Sequence, residues 1–442
     1  MKILVLGKDG RTHAFVWKLF NSPQASTVVC VPGNGGTTQI APSADLDLDH
    51  RVEVARWAFE EGFDLILPAS SGEMDNSLVD EASALRVAVC APSHHALRLE
   101  RSRCAAKEFL LRHQLPTAPG KTFTNRTMAE RYLAAQPLPV VIKADNPTIA
   151  SGIYHDRYTA LNALQELFTP ASLEEKNGGV VIEGFLPGPS LAISGLTDGK
   201  TVQMFLPTRI YNYFGEDDTG IYAPGMGAHT SNSVYAKKLT EYARHHLFKP
   251  LIAALAKEYS YRGIIGIDCI ITKQGPRIHA LRCAMHDMEA QVVFPCLESD
   301  LLPALRAATT QQLDQAPPLQ WRDQSCVGIA VVAQGYPHHF PMGGKVEGLT
   351  AVETGVLVFH HETHNPLGMQ YSPSSRGSDP LAGLIMGKGA QRTISTTGGH
   401  VLTVVALAAT LNGARGKALV NAERISFPSR TFRGDIGKRE FF

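Results

Sequence analysis

Ile264-Ile265-Gly266-Ile267-Asp268-Cys269-Ile270-Ile271-Thr272 runs into the turn Lys273-Gln274-Gly275, and Arg277-Ile278-His279-Ala280-Leu281-Arg282-Cys283 follows. Two apolar, β-branched runs joined by a short glycine turn predict a β-hairpin. Upstream, the helical periodicity of Ser233 to Tyr259 predicts one long amphipathic helix. Further back, Val140 to Lys143, Val180 to Glu183, Leu191 to Ser194 and Val202 to Phe205 read as strands, with a helix around Ala160 to Leu167. The centre of the chain is therefore α+β.

The two flanks differ from this centre. Over the first hundred residues, short apolar runs (Ile3 to Leu6, Thr27 to Val31, Leu65 to Leu67, Val87 to Cys90) alternate with helical patterns (His13 to Phe20, Val52 to Glu61, Asn76 to Leu85). That alternation predicts α/β structure around a parallel sheet, with ligands at the carboxyl ends of its strands. Beyond the polar, proline-containing stretch Thr310 to Gln324, which reads as a linker, come four further strand patterns: Cys326 to Ala333, Val356 to His360, Thr393 to Thr396 and His400 to Leu407. These form a β-rich C-terminal lobe. The expected division is 1–102, 103–315 with a lid at about 120–190, and 325–442.

The chain has 442 residues, 44% of them hydrophobic, enough for roughly two to four domains. With 42 Lys and Arg against 41 Asp and Glu, no global charge points to nucleic acid or an anionic membrane. The longest apolar stretch, Val401 to Leu411, falls short of the roughly 20 residues that span a bilayer, so a cytoplasmic location is expected. Seven dispersed cysteines without a C-x-x-C pair predict buried thiols rather than disulfides or a zinc knuckle.

Several motifs stand in a telling order. Gly7-Lys8-Asp9-Gly10-Arg11-Thr12-His13-Ala14 is similar to G-x-G-G-R-E-H-A, and Pro32-Gly33-Asn34 to a P-G-N loop. Val141-Ile142-Lys143-Ala144-Asp145 is similar to V-I-K-A-D, Val181-Ile182-Glu183 to an adenine-edge strand, and Asp218-Thr219-Gly220 with Gly225-Met226-Gly227-Ala228 to D-T-G followed by G-M-G-A. Gly335-Tyr336-Pro337, Thr397-Gly398-Gly399 and Arg433-Gly434-Asp435-Ile436-Gly437 continue the series. Over nearly its whole length the chain resembles the phosphoribosylamine-glycine ligases (glycinamide ribonucleotide synthetases) of the ATP-grasp superfamily. The resemblance implies an ATP-grasp architecture and a two-step ligation: ATP phosphorylates the glycine carboxylate, and the amine of phosphoribosylamine displaces phosphate. It further implies nucleotide contacts at Arg103, Lys107, Lys143 and Glu183, and substrate contacts at Gly10, Asn34, Asp218, Gly225, Gly227 and Asp287. ATP is the implied cofactor, and an amino acid or phosphoribosyl compound the implied small-molecule partner of a monomer or homodimer. The residues alone also admit solvated lysines, a locally paired carboxylate, and turn-forming glycines at these positions.

Departures fall where the chemistry would be. The family's E-F-N-C-R-F-G-D-P-E, whose Glu and Asn bind magnesium through oxygen, reads Ala280 to Glu289 here, with Ala280 and Arg282 in the ligand positions. The lid G-L-A-A-G-K-G reads Asn146-Pro147-Thr148-Ile149-Ala150-Ser151-Gly152, and an earlier lysine is Arg103. Magnesium is thus not expected in the family's position, and no other metal site is assigned. His360, Glu362 and His364 are placed on one strand face without the spacing of a zinc motif, while Asp287 and Glu289 are expected to pair with Arg282. Three readings stay open: a diverged ligase homologue inactive in, or repurposed from, carboxylate-amine ligation; a functional purine-biosynthetic ligase with rearranged metal ligands from Asp268, Asp287 or Glu289; and a non-catalytic ligand sensor or scaffold.

Overall fold

The structure is a computed structural model, and it describes residues 1–149, 151–168, 178–371 and 393–439. Ala150, in the loop with the altered lid sequence, lies outside the described residues, as do parts of the expected lid and C-terminal lobe.

Runs such as Ile3 to Leu6 have no polar face, so they require cover on both sides, which a parallel sheet with crossover helices provides. Four parallel strands form in the order Thr27–Pro32, Lys2–Gly7, Leu65–Pro68 and Ala88–Val89. The first crossover helix, Gly10–Phe20, begins earlier than its apolar periodicity suggests because the Asp9 carboxylate caps it, accepting the Thr12 N–H at 2.8 Å.

A second, antiparallel sheet orders Gly120–Phe123, Val180–Gly184, Val140–Ala144 and Gly152–Tyr154. Ala129, Leu133, Ala160 and Leu164, from the helices Arg126–Ala135 and Arg157–Leu167, cover one face by packing on Val140, Ile142, Val180 and Ile182.

The largest sheet has ten strands and joins the centre to the C-terminal lobe without a break. The hairpin forms as Gly263–Thr272 with Gly275–Arg282, irregular at Asp268 and Cys269. The long strands Thr208–Gly215 and Thr219–Ser231 were not legible as strands, being rich in glycine and polar residues. The second of them pairs with Ser325–Ala333, Thr230 opposite Cys326, and this links the two regions. The predicted long helix is instead two helices, Val234–Ala243 and Lys249–Glu258, joined by a π-helical segment Arg244–Phe248. Pro250, which lacks an N–H, explains the break in regular hydrogen bonding. The stretch read as a linker is tied down: Leu313 is buried and its N–H donates to Asp198. No cysteine among the described residues is disulfide-bonded, and all but Cys104 are buried. No helix of the described residues is long and apolar enough to cross a membrane.

Candidate functional site

The small sheet and the helix Arg103–Arg112 bring three of the expected nucleotide residues together. Glu183 lies between two ammonium groups, with Oε1 2.8 Å from Lys107 Nζ and Oε2 2.6 Å from Lys143 Nζ. Lys107 also donates to the Ala118 carbonyl and to Thr117 Oγ1, and Lys143 to the His279 carbonyl at 3.1 Å. All three side chains are buried. Burial opposes ionisation of Glu183, but Lys143 and Lys107 outweigh it and hold the carboxyl below its ordinary range. Burial likewise draws Lys107 down, with Glu183 acting against it. One carboxylate serves two ammoniums, so the cluster with all three groups ionised carries a single excess positive charge.

Arg103 is placed differently. Its guanidinium donates to the carbonyls of Ala144, Asn146, Pro147 and Ile149, and so braces the loop after Val140–Ala144. The fork of an arginine suits several carbonyls at once where a lysine would offer a single point of charge.

At the end of the hairpin, Arg282 Nε donates to Asp268 Oδ1 and Nη1 to Glu289 Oε2, each at 3.0 Å. Nη1 also meets the Ala284 carbonyl at 2.9 Å. His286 Nε2 adds a second contact on Asp268 Oδ1 at 2.9 Å. Burial raises the Asp268 carboxyl, yet Arg282 and His286 together hold it well below its ordinary range. Ala280 and Arg282 offer no side-chain oxygen, and the two nearest carboxylates are engaged by the guanidinium. The expected ion pair with Arg282 forms for Glu289 but not for Asp287. Asp287 Oδ1 instead accepts the Arg11 N–H at 2.7 Å, and its Oδ2 accepts Gln291 Nε2 at 2.7 Å.

The expected substrate residues converge only in part. Asn34 spends its side chain on structure: Nδ2 donates to the carbonyls of Lys8, Asp9 and His360, and Oδ1 accepts the N–H groups of Gly36 and Thr37. Gly10 begins its helix against Gln291, whose amide a Cβ would overlap. Gly227 faces Ile436, with atoms of that side chain 2.7 Å from where a Cβ would stand. Gly225 has φ +72°, and a Cβ on it would lie 3.6 Å from His400 Cε1. Asp218 pairs with Arg209 at 3.2 Å and with Arg433 at 2.9 Å. Gly10, Gly225 and Asp287 are therefore gathered around His400 and Gln291, whereas Asp218 belongs to an arginine cluster.

The strand Leu357–His360 ends before Glu362, so His360, Glu362 and His364 do not share a strand face. His360 turns inward, its Nδ1 3.0 Å from Thr363 Oγ1. It is the neighbouring His361 that reaches Asp287, with Nε2 3.7 Å from Oδ2, and it stacks on His400 with centroids 4.4 Å apart. His361 and His400 come from separate segments, and no local spacing announces their meeting with Asp287. Asp9 and Arg11 are a further pair that was not singled out, 2.5 Å apart beside this cluster.

A small antiparallel sheet carrying lysines, set beside a larger sheet that ends in this hairpin, makes the protein a member of the ATP-grasp superfamily. More narrowly, the chain belongs to the phosphoribosylglycinamide synthetase family, whose N domain matches residues 1–100, ATP-grasp domain 101–290 and C domain 326–439. A phosphoribosylamine-glycine ligase of Synechocystis is 31% identical over 446 residues, covering 99% of this chain and all of that one. In Drosophila melanogaster, the trifunctional purine biosynthetic protein adenosine-3 is 30% identical over all of this chain and 32% of its own length. Among solved structures, the phosphoribosylamine-glycine ligase of Thermotoga maritima superposes with TM-score 0.80 at 22% identity, over 98% of this chain and all of that one. A Campylobacter jejuni biotin carboxylase, at 12% identity, reaches TM-score 0.70 over 99% of this chain and 94% of its own. The last two likenesses speak to fold.

Proposed function

We propose that the chain is an ATP-dependent carboxylate-amine ligase of the phosphoribosylamine-glycine ligase type, in which buried lysine ammoniums beside the hairpin supply the charge neutralisation. The observation that carries this reading is the Lys107–Glu183–Lys143 cluster, which keeps buried, oriented ammonium groups with one surplus positive charge. Transfer of the γ-phosphoryl group to a carboxylate needs positive groups held in place as charge moves to the leaving ADP. Family membership along the whole chain supports the same reading. Magnesium does not fit the family's position, because a methyl and a guanidinium replace its oxygen ligands and Arg282 occupies Asp268 and Glu289. Arg282 is itself compensated there by those two carboxylates, so the surplus positive charge comes from Lys107 and Lys143.

The same substitution favours a second reading, in which ligation has been lost or redirected to another carboxylate or amine. Purified chain incubated with ATP, glycine and phosphoribosylamine separates the two. ADP and glycinamide ribonucleotide formed only when both substrates are present supports the first. ADP release that ignores either substrate, or no turnover while ATP still binds, overturns it in favour of the second.

A further inference from the structure

Asp287, His361 and His400 meet where three parts of the molecule converge: the first turn of the helix Asp287–Cys296, the segment after Leu357–His360, and the first residue of the strand His400–Ala408. One ligand atom from each lies within 4.8 Å of the others. The rings of His361 and His400 are stacked 11° from parallel, so His361, the more exposed, must turn out of the stack for both to bind one ion. His400 is only 4% exposed, yet among the described residues its Nε2 has no hydrogen-bond partner, and neither has the buried His361 Nδ1. A buried polar atom left in this state costs roughly 1–3 kcal/mol. The orphaned Nε2 of His400, beside a second imidazole and a carboxylate, calls for a ligand.

We propose that Asp287, His361 and His400 form a binding site for a first-row divalent metal ion of the zinc type, separate from the hairpin where the family's magnesium ligands would stand. Two imidazoles and one carboxylate select such an ion over magnesium, which prefers oxygen alone. The carboxylate is already oriented, because the Arg11 N–H and Gln291 Nε2 hold its two oxygens. The strand that carries His400 is anchored by its N–H donating to Glu362 Oε2 at 2.9 Å. Asp287 and His361 have side chains 21% and 20% exposed, so the site is reachable from solvent and three protein ligands leave a coordination position open. The site shares Asp287 with the implied substrate contacts, but its occupancy is read by metal binding and not by ligation.

The test uses the untagged full chain, stripped with a chelator and titrated with Co²⁺ and Zn²⁺. The expected result is one equivalent of Co²⁺ with the visible absorption of a low-coordinate nitrogen–oxygen site, displaced by Zn²⁺ and not by excess Mg²⁺. His361→Ala and His400→Gln should each lose that equivalent, while His364→Ala, at an exposed neighbouring position, keeps it. Circular dichroism without metal confirms folding, and His361→Ala, at the more exposed of the two histidines, serves if His400→Gln does not fold. Absence of a stoichiometric equivalent in the wild-type chain, its displacement by Mg²⁺, or its full retention in folded His361→Ala overturns the proposal. Loss of ligase activity without loss of the equivalent would bear on the ligation reading and leave this one standing.

Discussion

Arg282 Nη1 donates to Glu289 Oε2 at 3.0 Å, and Glu289 is completely buried. With Asp268 on the other side of the guanidinium, three charges share a region with little access to water. Such a group is held by mutual compensation, so removing one member costs more than the pair contributes. Arg282→Met should destabilise the fold by roughly 3–5 kcal/mol, and joint replacement with Glu289→Gln should recover part of that loss. Denaturant midpoints of the single and double variants measure the coupling.

If Arg282 presents positive charge to the nucleotide beyond what Asp268 and Glu289 neutralise, folded Arg282→Met should bind ATP at least tenfold more weakly, a loss of about 1.4 kcal/mol. Equilibrium titration at a temperature where the variant is folded reads this directly. Unchanged affinity would confine Arg282 to a structural role.

The acid limb of stability follows from Asp268. Burial raises its carboxyl, but Arg282 and His286 hold the folded value below the roughly 3.9 of an unfolded aspartate. A depressed folded value means a contribution fully present above about pH 4 and progressively lost as pH falls toward the folded value. Asp268→Asn should therefore be less stable at neutral pH and show a shallower decline between about pH 5 and 3 than the wild type. Parallel slopes over that range would assign the acid sensitivity to other carboxylates, Asp9 among them.

The contrast between Asp268 and Asp287 shows what the sequence could convey. The motif order made the ATP-grasp fold legible, because strand-end turns and framework glycines are local features that survive in short patterns. The Arg282–Glu289 pair was legible too, since both residues lie near one hairpin end. Asp287 was not, because its partners Arg11, His361 and Gln291 are brought together only by packing the first helix, the helix Asp287–Cys296 and the C-terminal strands. The strands Thr208–Gly215 and Thr219–Ser231 were missed for a related reason. Their pairing in the middle of a sheet, not their own apolar content, makes them strands. Asn34 resembled a ligand loop residue, yet its amide is consumed in tying the first domain to the His360 carbonyl.

Glu183 provides a direct probe of the nucleotide cluster. Glu183→Gln removes the carboxylate paired with both buried ammoniums, leaving Lys107 and Lys143 uncompensated, and should cost roughly 3–5 kcal/mol of stability. Bound ATP would restore the missing negative charge, so the variant should gain more thermal stabilisation from ATP than the wild type does. Lys143→Met should do the reverse, with ATP affinity lowered roughly ten- to a hundredfold through loss of a charged contact worth about 1.5–3 kcal/mol. Thermal-shift curves over a range of ATP concentrations distinguish the two directions.

Gly227 separates a packing role from a binding role at a position where the family resemblance implies substrate contact. Its α-carbon faces Ile436 so closely that an added methyl would stand 2.7 Å from that side chain, and Ile436 is itself fully buried in the C-terminal core. An ordinary carbon contact needs about 3.5–4.0 Å, so either Ile436 or the strand must move. Overpacking of this kind costs typically about 1–3 kcal/mol. Gly227→Ala should thus lower the denaturant midpoint, and the double variant with Ile436→Ala should lose less than the two single losses summed, because it removes Cγ1, Cγ2 and Cδ1, all three atoms that the new methyl would meet. Ligand affinity measured on the folded double variant then isolates the role of the loop: affinity equal to wild type assigns Gly227 to packing, and a loss that persists in the folded variant assigns it to the binding site.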